Sequence, residues 1–347
     1  MSTLAIGARY PAPLRPGDRI GVTAPSSGVP PALRERLSLA LRTLEDRGYE
    51  VLLGDCLDGA RHVSGTAADR ARELTEMLTD PQIRAVVPPW GGEIAIDLLP
   101  LLDWDAIRAA VPTWVIGFSD ISTIITPLTL RTGLATIHGN NLMNMPYRTP
   151  DGLLSWLDIA EAPEGATLIQ SPPGRYRSTG TVDFARNPGV AEYVLDAPGG
   201  WLRLDGAGGV DVQGRLIGGC IETLGPVVGS QYADPRSLNS AYADEGLLVY
   251  VEAAGDDAFA ICRALHGMRL SGFFDSANAV LIGRTSAPAR PSLTQHEAVL
   301  DALSPLGVPL IADVDCGHVA PFMPIVNGAR GRLVFGGGCD RLEQTLD

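Results

Sequence analysis

Apolar residues recur at helical spacing through Leu33, Leu37, Leu41 and Leu44, and the run that stops at Gly48 predicts a helix opened by Pro31. Apolar stretches over 18–24 and 49–53 flank it as strands, so the chain opens with a β-α-β unit. A helical pattern over 67–78 then leads into a strand over 83–87, which ends at Pro88-Pro89-Trp90-Gly91-Gly92. The next amphipathic run carries Ile94, Ile96, Leu98 and Leu99 and predicts another helix. After Asp103-Trp104-Asp105 and a further short helix comes Thr113-Trp114-Val115-Ile116-Gly117-Phe118-Ser119-Asp120-Ile121, where an apolar run halts at a glycine and a serine before an amphipathic run begins. That pattern predicts strand, tight turn, helix, and 134–138 is a further strand. Alternating helices and β-branched strands imply a parallel sheet covered on both faces. Ligands of such sheets sit at the carboxyl ends of the strands, where Gly91-Gly92 and Ser119 both fall.

Between 140 and 209 the periodicity fades while Pro, Gly and Arg accumulate, predicting a long connection that wraps over the sheet edge. From Gly214 a second region offers strands over 215–217, 247–252, 279–282, 309–312 and 332–335, with helices over 257–270 and 294–303. The 347 residues exceed one typical domain. The expected architecture is an amino-terminal parallel α/β domain over 1–165, a connecting loop region over 166–204, and a smaller carboxyl-terminal α/β domain over 205–347.

Composition narrows the partners. A formal net charge of −13 would repel a phosphate backbone, and no basic run offers a local exception, so nucleic acid is excluded as an expected partner. An anionic small substrate would need an arginine to meet it. Arg148, Arg175 and Arg177 in the loop-rich stretch are the candidates, or else plain surface charges. The opening segment 1–16 has no continuous apolar core and no later run is long enough to cross a bilayer, which points to a cytoplasmic protein with no membrane partner. Five cysteines, Cys56, Cys220, Cys262, Cys316 and Cys339, stand singly without C-x-x-C spacing, as expected of buried small hydrophobes rather than disulfides or a zinc site.

The chemistry begins with Ser119, whose turn would suit a nucleophile or equally a helix cap. A nucleophilic serine needs a base, a group that orients the base, and amides aimed at the oxyanion. Of five histidines, His266 and His296 sit in helical patterns and His62 in a polar loop. His138 ends a strand on the same edge as Ser119. His318 lies in Asp315-Cys316-Gly317-His318-Val319-Ala320-Pro321-Phe322, a glycine-punctuated turn after an apolar strand, and is the stronger candidate base or a turn histidine bonded to a carbonyl. Glu222, in the apolar run Gly218-Gly219-Cys220-Ile221-Glu222, would need a partner if buried and is the candidate orienting acid, or a helix-start glutamate bonded to amides. Gly92 could donate its amide to an oxyanion, or simply turn the chain at a strand end.

Several segments, taken together and in order, resemble the LD-carboxypeptidase family of serine peptidases: Gly17-Asp18-Arg19-Ile20-Gly21-Val22 with Ala24-Pro25-Ser26-Ser27, Trp90-Gly91-Gly92 with Leu98-Leu99-Pro100, Gly117-Phe118-Ser119-Asp120, the segment from Gly214 to Glu222, and Asp315-Cys316-Gly317-His318. The resemblance implies a flavodoxin-like amino-terminal domain with a nucleophile elbow. It also implies metal-independent, cofactor-free hydrolysis of an amide through an acyl-enzyme, with Ser119 as nucleophile, His318 as base, Glu222 as orienting acid, and the Gly92 and Asp120 amides as oxyanion hole. Glu93 departs from the bulky residue many members place after the two glycines. His138-Gly139-Asn140-Asn141 and Met145-Pro146-Tyr147-Arg148-Thr149-Pro150 resemble the microcin-immunity branch, which cuts an aminoacyl-nucleotide antibiotic, more than the murein branch, which releases D-alanine from tetrapeptides. Trp90, Gly91, Arg148 and Trp201 are then expected at a small peptide or aminoacyl-nucleotide substrate, in a homodimer, with Trp201 otherwise a packing residue that anchors the loop to the second domain. A non-catalytic module that binds a small ligand at the strand ends is the rival from another class.

Overall fold

The structure, a computed structural model, describes residues 6–347; the first five, part of the segment read above as no leader, lie outside the described residues. Strands Arg19–Val22, Glu50–Leu53, Ile83–Val86, Trp114–Gly117 and Thr136–His138 form a parallel sheet in which the second lies outside the first, followed by the third, fourth and fifth. That spatial order is the flavodoxin-like one, with its switch point between the first and third strands. The loops leaving those two strands carry Ser26-Ser27 and Gly91-Gly92, so the crevice that the topology opens is the one the sequence marks. The sheet's far edge is closed by Ile325–Asn327, an antiparallel strand from near the chain's other end, with Ile325 opposite His138.

The second sheet has eight strands and is therefore the larger of the two. Its centre is parallel, Val210–Cys220, Leu247–Glu252, Ala277–Gly283 and Leu310–Val314. Antiparallel strands Arg330–Phe335, Arg341–Thr345 and Thr167–Gln170 extend one side, and Leu202–Arg203 the other. The eight strands include two from the expected loop region, a reading that is thus corrected. Thr167–Gln170 and Leu202–Arg203 come from the stretch read as connection, and Trp156, in the helix Trp156–Ala160, is buried in the amino-terminal core. These elements are too short for periodicity to reveal, and their partners lie far away in sequence. The helix expected after Gly92 is a single 3-10 turn, Ala95–Leu98, closed off by Pro100.

Helix starts follow capping chemistry. Thr66 caps Ala67–Thr79 by accepting from the Asp69 amide, and Thr294 with Glu297 forms a reciprocal box at Gln295–Leu303. Helix Ser122–Thr132, which follows the serine turn, is buried at every position except Arg131. A helix buried all round must lie inside the protein, and this one is packed between the two sheets. Its hydroxyls are satisfied there: Thr126 Oγ1 donates to the Gly218 carbonyl at 2.6 Å, and Ser122 Oγ accepts from the Cys220 amide at 3.1 Å. Among the described residues no helix is long and apolar enough to cross a membrane.

Gly219 is where helix and second sheet meet most closely. Its φ is 152°, and a methyl group there would lie 2.8 Å from Ser122 Cβ. Gly219→Ala should lower unfolding stability by about 1–3 kcal/mol, the usual cost of overpacking, measured as a shifted urea midpoint. An unchanged midpoint would mean that the two layers are not tightly coupled at this point.

Candidate active site

The strand Trp114–Gly117 delivers the chain to Ser119, which takes φ 62°, a left-handed conformation uncommon for any residue with a Cβ. Holding a serine there costs on the order of 1–3 kcal/mol and persists only where the surroundings enforce it. They do so here through Asp120, whose buried carboxylate accepts from Ser26 Oγ at 2.5 Å, the Ala95 amide at 2.8 Å and Thr123 Oγ1 at 3.4 Å. One side chain thus ties the loops after the first and third strands to the serine turn. Gly91 abuts that turn, since a methyl on it would sit 2.8 Å from Ser119 Cβ and 3.2 Å from the Asp120 amide. Gly92 has φ 148°, and a methyl there would meet Ser26 Oγ at 2.2 Å. Its N–H finds no acceptor among the described residues.

His318 follows the strand Leu310–Val314, and its ring packs at 5.0 Å, centroid to centroid, against Phe118, the residue before the serine. Ser119 and His318 line one cavity of about 430 Å³ together with Trp90, Gly91 and Gly92. The acid that meets the histidine is Glu252, not Glu222. His318 Nδ1 donates to Glu252 Oε2 at 2.7 Å, which leaves Nε2 for the cavity. Glu252 ends the strand Leu247–Glu252 and is fully buried, while the imidazole is 24% exposed. Room for this carboxylate depends on two glycines: a methyl on Gly283 would lie 2.5 Å, and one on Gly317 3.0 Å, from Glu252 Cβ. Glu222 instead lies past the end of Val210–Cys220, where its Oε1 accepts from the consecutive amides of Ala254, Gly255 and Asp256 at 2.8, 2.9 and 3.1 Å. The alternative of a glutamate bonded to amides describes it, although the amides belong to the loop after Glu252 rather than to its own helix.

Glu252 and His318 each favour the charged form of the other. Burial would raise the Glu252 carboxyl, but the His318 charge and hydrogen bond overturn this and hold it below the usual carboxylate range. Desolvation would lower His318; the Glu252 charge and hydrogen bond, helped by Glu222, carry it above the ordinary histidine value. His138 behaves oppositely: full burial drives it down to about 4, so it is neutral, with Nε2–H donating to the Cys316 carbonyl at 3.0 Å beneath the His318 turn. It supports the turn that carries His318 and lines neither cavity at the site.

A second cavity of about 440 Å³ adjoins the first, sharing Leu33, Trp90, Phe118, Asn144 and His318 with it. Aromatic rings build its wall: Tyr147 stacks on Tyr193 with centroids 4.2 Å apart, and Trp90 on Phe184 at 6.0 Å. Buried Arg36 pins this wall in place. Its guanidinium lies 4.3 Å from the Phe184 ring centre and donates to the carbonyls of Met143, Pro188 and Val190. Sequence patterning missed this wall because Tyr147, Phe184 and Tyr193 come from aperiodic chain.

Of the other expected substrate residues, Trp90 and Gly91 line the site, and two do not. Trp201 is buried, its indole donating to Asp315 Oδ2 at 3.2 Å, and anchors the connection to the second sheet. Arg148 is exposed and pairs with Glu192 at 3.4 Å. His266 faces Asp301 and His296 faces Asp313 at the surface. Cys262 joins His266 and Asp301 in a group close enough to share an ion, with Arg269 3.4 Å from the other imidazole nitrogen.

A parallel-strand edge that ends in a strained serine turn, opposed by a histidine on a buried carboxylate, is the chemistry of a serine-type hydrolase, and the relatives make this one a carboxypeptidase. Residues 20–139 match the LD-carboxypeptidase N-terminal domain and residues 213–333 the LD-carboxypeptidase C-terminal domain. The chain belongs to the LD-carboxypeptidase family. It is 30% identical to a Streptomyces coelicolor protein named as a carboxypeptidase, over 93% of this chain and 92% of the relative. It is 26% identical to the microcin C7 self-immunity protein MccF of Escherichia coli, over 93% and 92%. With the murein tetrapeptide carboxypeptidase of Pseudomonas aeruginosa it shares 28% over 87% and 88%. Its fold matches MccF in complex with aspartyl sulfamoyl adenosine at a TM-score of 0.80 and 22% identity, covering 96% of this chain and 98% of that one.

The pairing makes a titration prediction. Because the carboxylate stabilises the imidazolium, His318 should titrate above about 6.5, the unperturbed value, by NMR, and Glu252→Gln should bring it down further than Glu222→Gln does. The His318 contribution to stability is present below about 6.5 and lost as pH rises through the folded value; the Glu252 contribution is present above about 4.3 and lost as pH falls through its own. A titration insensitive to Glu252→Gln would remove the pairing.

Proposed function

We propose that this carboxypeptidase cleaves an amide through an acyl-enzyme on Ser119, with His318 as general base and Glu252 as the acid that orients it. The observation that carries this is the 2.7 Å bond from His318 Nδ1 to Glu252, on a histidine that shares its cavity with a serine held at φ 62°. The Nε2 atom takes the Ser119 proton as Oγ attacks the carbonyl carbon, and the developing oxyanion is met by the amides of Gly92 and Asp120. Collapse breaks the carbon–nitrogen bond, the imidazolium returns the proton to the departing nitrogen, and water repeats the sequence on the acyl-serine. Neither a metal nor an organic cofactor is needed.

For substrate we favour an acyl group amide-linked to a nucleotide-like leaving group, because the aromatic wall beside His318 offers flat faces for a purine. Groups attached to the departing nitrogen lie beside the base that protonates it, and His318 lines the cavity that the wall encloses. The MccF relative has been solved with aspartyl sulfamoyl adenosine, in keeping with this reading. A murein tetrapeptide losing its terminal D-alanine is the second reading, favoured by the relative named for that activity.

Three measurements test the proposal. Ser119→Ala should reduce kcat by about a million-fold while leaving the fold intact, and a fluorophosphonate should label wild type but not the variant. Glu252→Gln should lower kcat/KM by about a thousand- to ten-thousand-fold, and Glu222→Gln by far less. The kcat/KM profile should rise with pH along one limb set by free His318. Incubation with aminoacyl-sulfamoyl adenosine and with murein tetrapeptide, following both products, separates the two readings. Release of D-alanine without cleavage of the nucleoside conjugate would overturn the first reading and keep the triad, whereas activity lost to chelators would overturn the mechanism.

A further inference from the structure

The three arginines of the connecting stretch have different fates. Arg148 is exposed and ion-paired with Glu192. Arg175 spends its guanidinium on the carbonyls of Leu195 and Asp196, both at 2.9 Å, and so stiffens the ribbon it lies in. Arg177 alone of the three reaches the cavity that His318 and Phe118 line. Its backbone is docked to the histidine turn, with its amide donating to the Ala320 carbonyl at 2.9 Å, two residues beyond His318. Its guanidinium lies 5.9 Å from the Tyr193 ring centre, and its Nη2 is buried with no hydrogen-bond partner among the described residues.

A buried donor on a charged group is expensive to leave unmet. Asp183, the carboxylate on the same wall, is already engaged, its Oδ1 by the Ala185 and Arg186 amides at 3.0 and 3.3 Å and its Oδ2 by Arg186 Nε at 3.4 Å. The cavity is therefore lined by a guanidinium with no side-chain hydrogen bond or ion pair among the described residues, in a protein whose net charge is −13. A guanidinium fits two oxygens of one anionic group.

We propose that Arg177 is a specificity residue that binds an oxyanion on the leaving-group side of the scissile amide. The inference rests on the hydrolase reading above and deepens it. His318 protonates the departing nitrogen, so whatever that nitrogen carries extends into the cavity where Arg177 stands. Both candidate substrates place oxygens there. In a terminal D-alanine a carboxylate sits one carbon beyond the nitrogen, and in an acyl sulfamate or phosphoramidate the sulfonyl or phosphoryl oxygens sit on the atom bonded to it. The shared requirement is an acyl–NH group followed at once by a pair of negatively polarised oxygens. Arg177 would thus reject an internal peptide bond, whose leaving group carries no anion at that distance.

The test crosses enzyme and substrate variants. Wild type should favour a peptide ending in D-alanine over its carboxamide by about 10- to 100-fold in kcat/KM, the range expected for hydrogen bonds to a charged group, with most of the difference in KM. In Arg177→Gln the ratio should collapse toward one through loss on the carboxylate substrate alone, and Arg177→Lys should restore part of it. Equal loss on both substrates, or a wild type indifferent to the carboxamide, overturns the assignment. Binding to Ser119→Ala, measured by calorimetry with the tetrapeptide and with aspartyl sulfamoyl adenosine, decides independently of turnover. Adding Arg177→Gln should weaken whichever of the two binds at least tenfold. If wild type hydrolyses neither substrate yet this weakening is seen, the hydrolase reading fails and the oxyanion site stands; no weakening, or no binding of either ligand, removes the site.

Discussion

Placing the Glu252 carboxylate in a fully buried position is the constraint on which the rest of the site depends. A charge removed from water must be matched by a partner in good geometry, and the imidazole hydrogen-bonded to it among the described residues is His318. The match fixes much else. Gly283 and Gly317 must lack side chains for the carboxylate to fit, the strand Leu247–Glu252 must end where it does, and the His318 turn must be held from beneath, as neutral His138 holds it. Neither sheet contains a complete site. The first supplies a strained serine and the amides around it; the second supplies the histidine and the buried carboxylate paired with it; the buried helix Ser122–Thr132 packs between the two.

Much of this was legible in the chain. The alternation of helices and strands identified the first parallel sheet, and the glycine-serine stop at 117–119 identified its serine turn, because both signals are local. The histidine turn was found by its glycine and by the apolar strand before it. The acid was misassigned for a physical reason. Glu222 stood out because it interrupts an apolar run, and interruption suggests burial with a purpose, but the strand ends at Cys220 and the glutamate emerges into backbone amides. Glu252 was hidden as the last letter of an apolar strand, where a charge reads as the point of exit to solvent. The rule that singled out Ser119, a polar residue at the carboxyl end of a parallel strand, applied equally to Glu252 and would have found it. The short antiparallel strands Ile325–Asn327 and Arg341–Thr345 gave no such handle, since their pairing partners lie in distant sequence.

Division of labour around the histidine gives the site its shape. Around one cavity lie the serine and the glycine loop, built on regular strands and locked by the Asp120 carboxylate. Around the adjoining one lie aromatic rings and Arg177, carried by irregular chain that Arg36 and the Ala320 carbonyl fasten down. The strained serine thus sits on elements that tolerate little change, and the aromatic wall on segments where substitution disturbs no ladder. Relatives with different substrates can share the first cavity and differ in the second.

The strand Ile325–Asn327 has a consequence for how the chain is made. A ribosome delivers the five parallel strands of the first sheet early, yet their outer edge at Thr136–His138 is covered only by residues synthesised near the end. Until then the nascent protein carries an open sheet edge, a template for unwanted pairing. Cutting the gene between the two halves would yield a first half whose Thr136–His138 edge is unguarded.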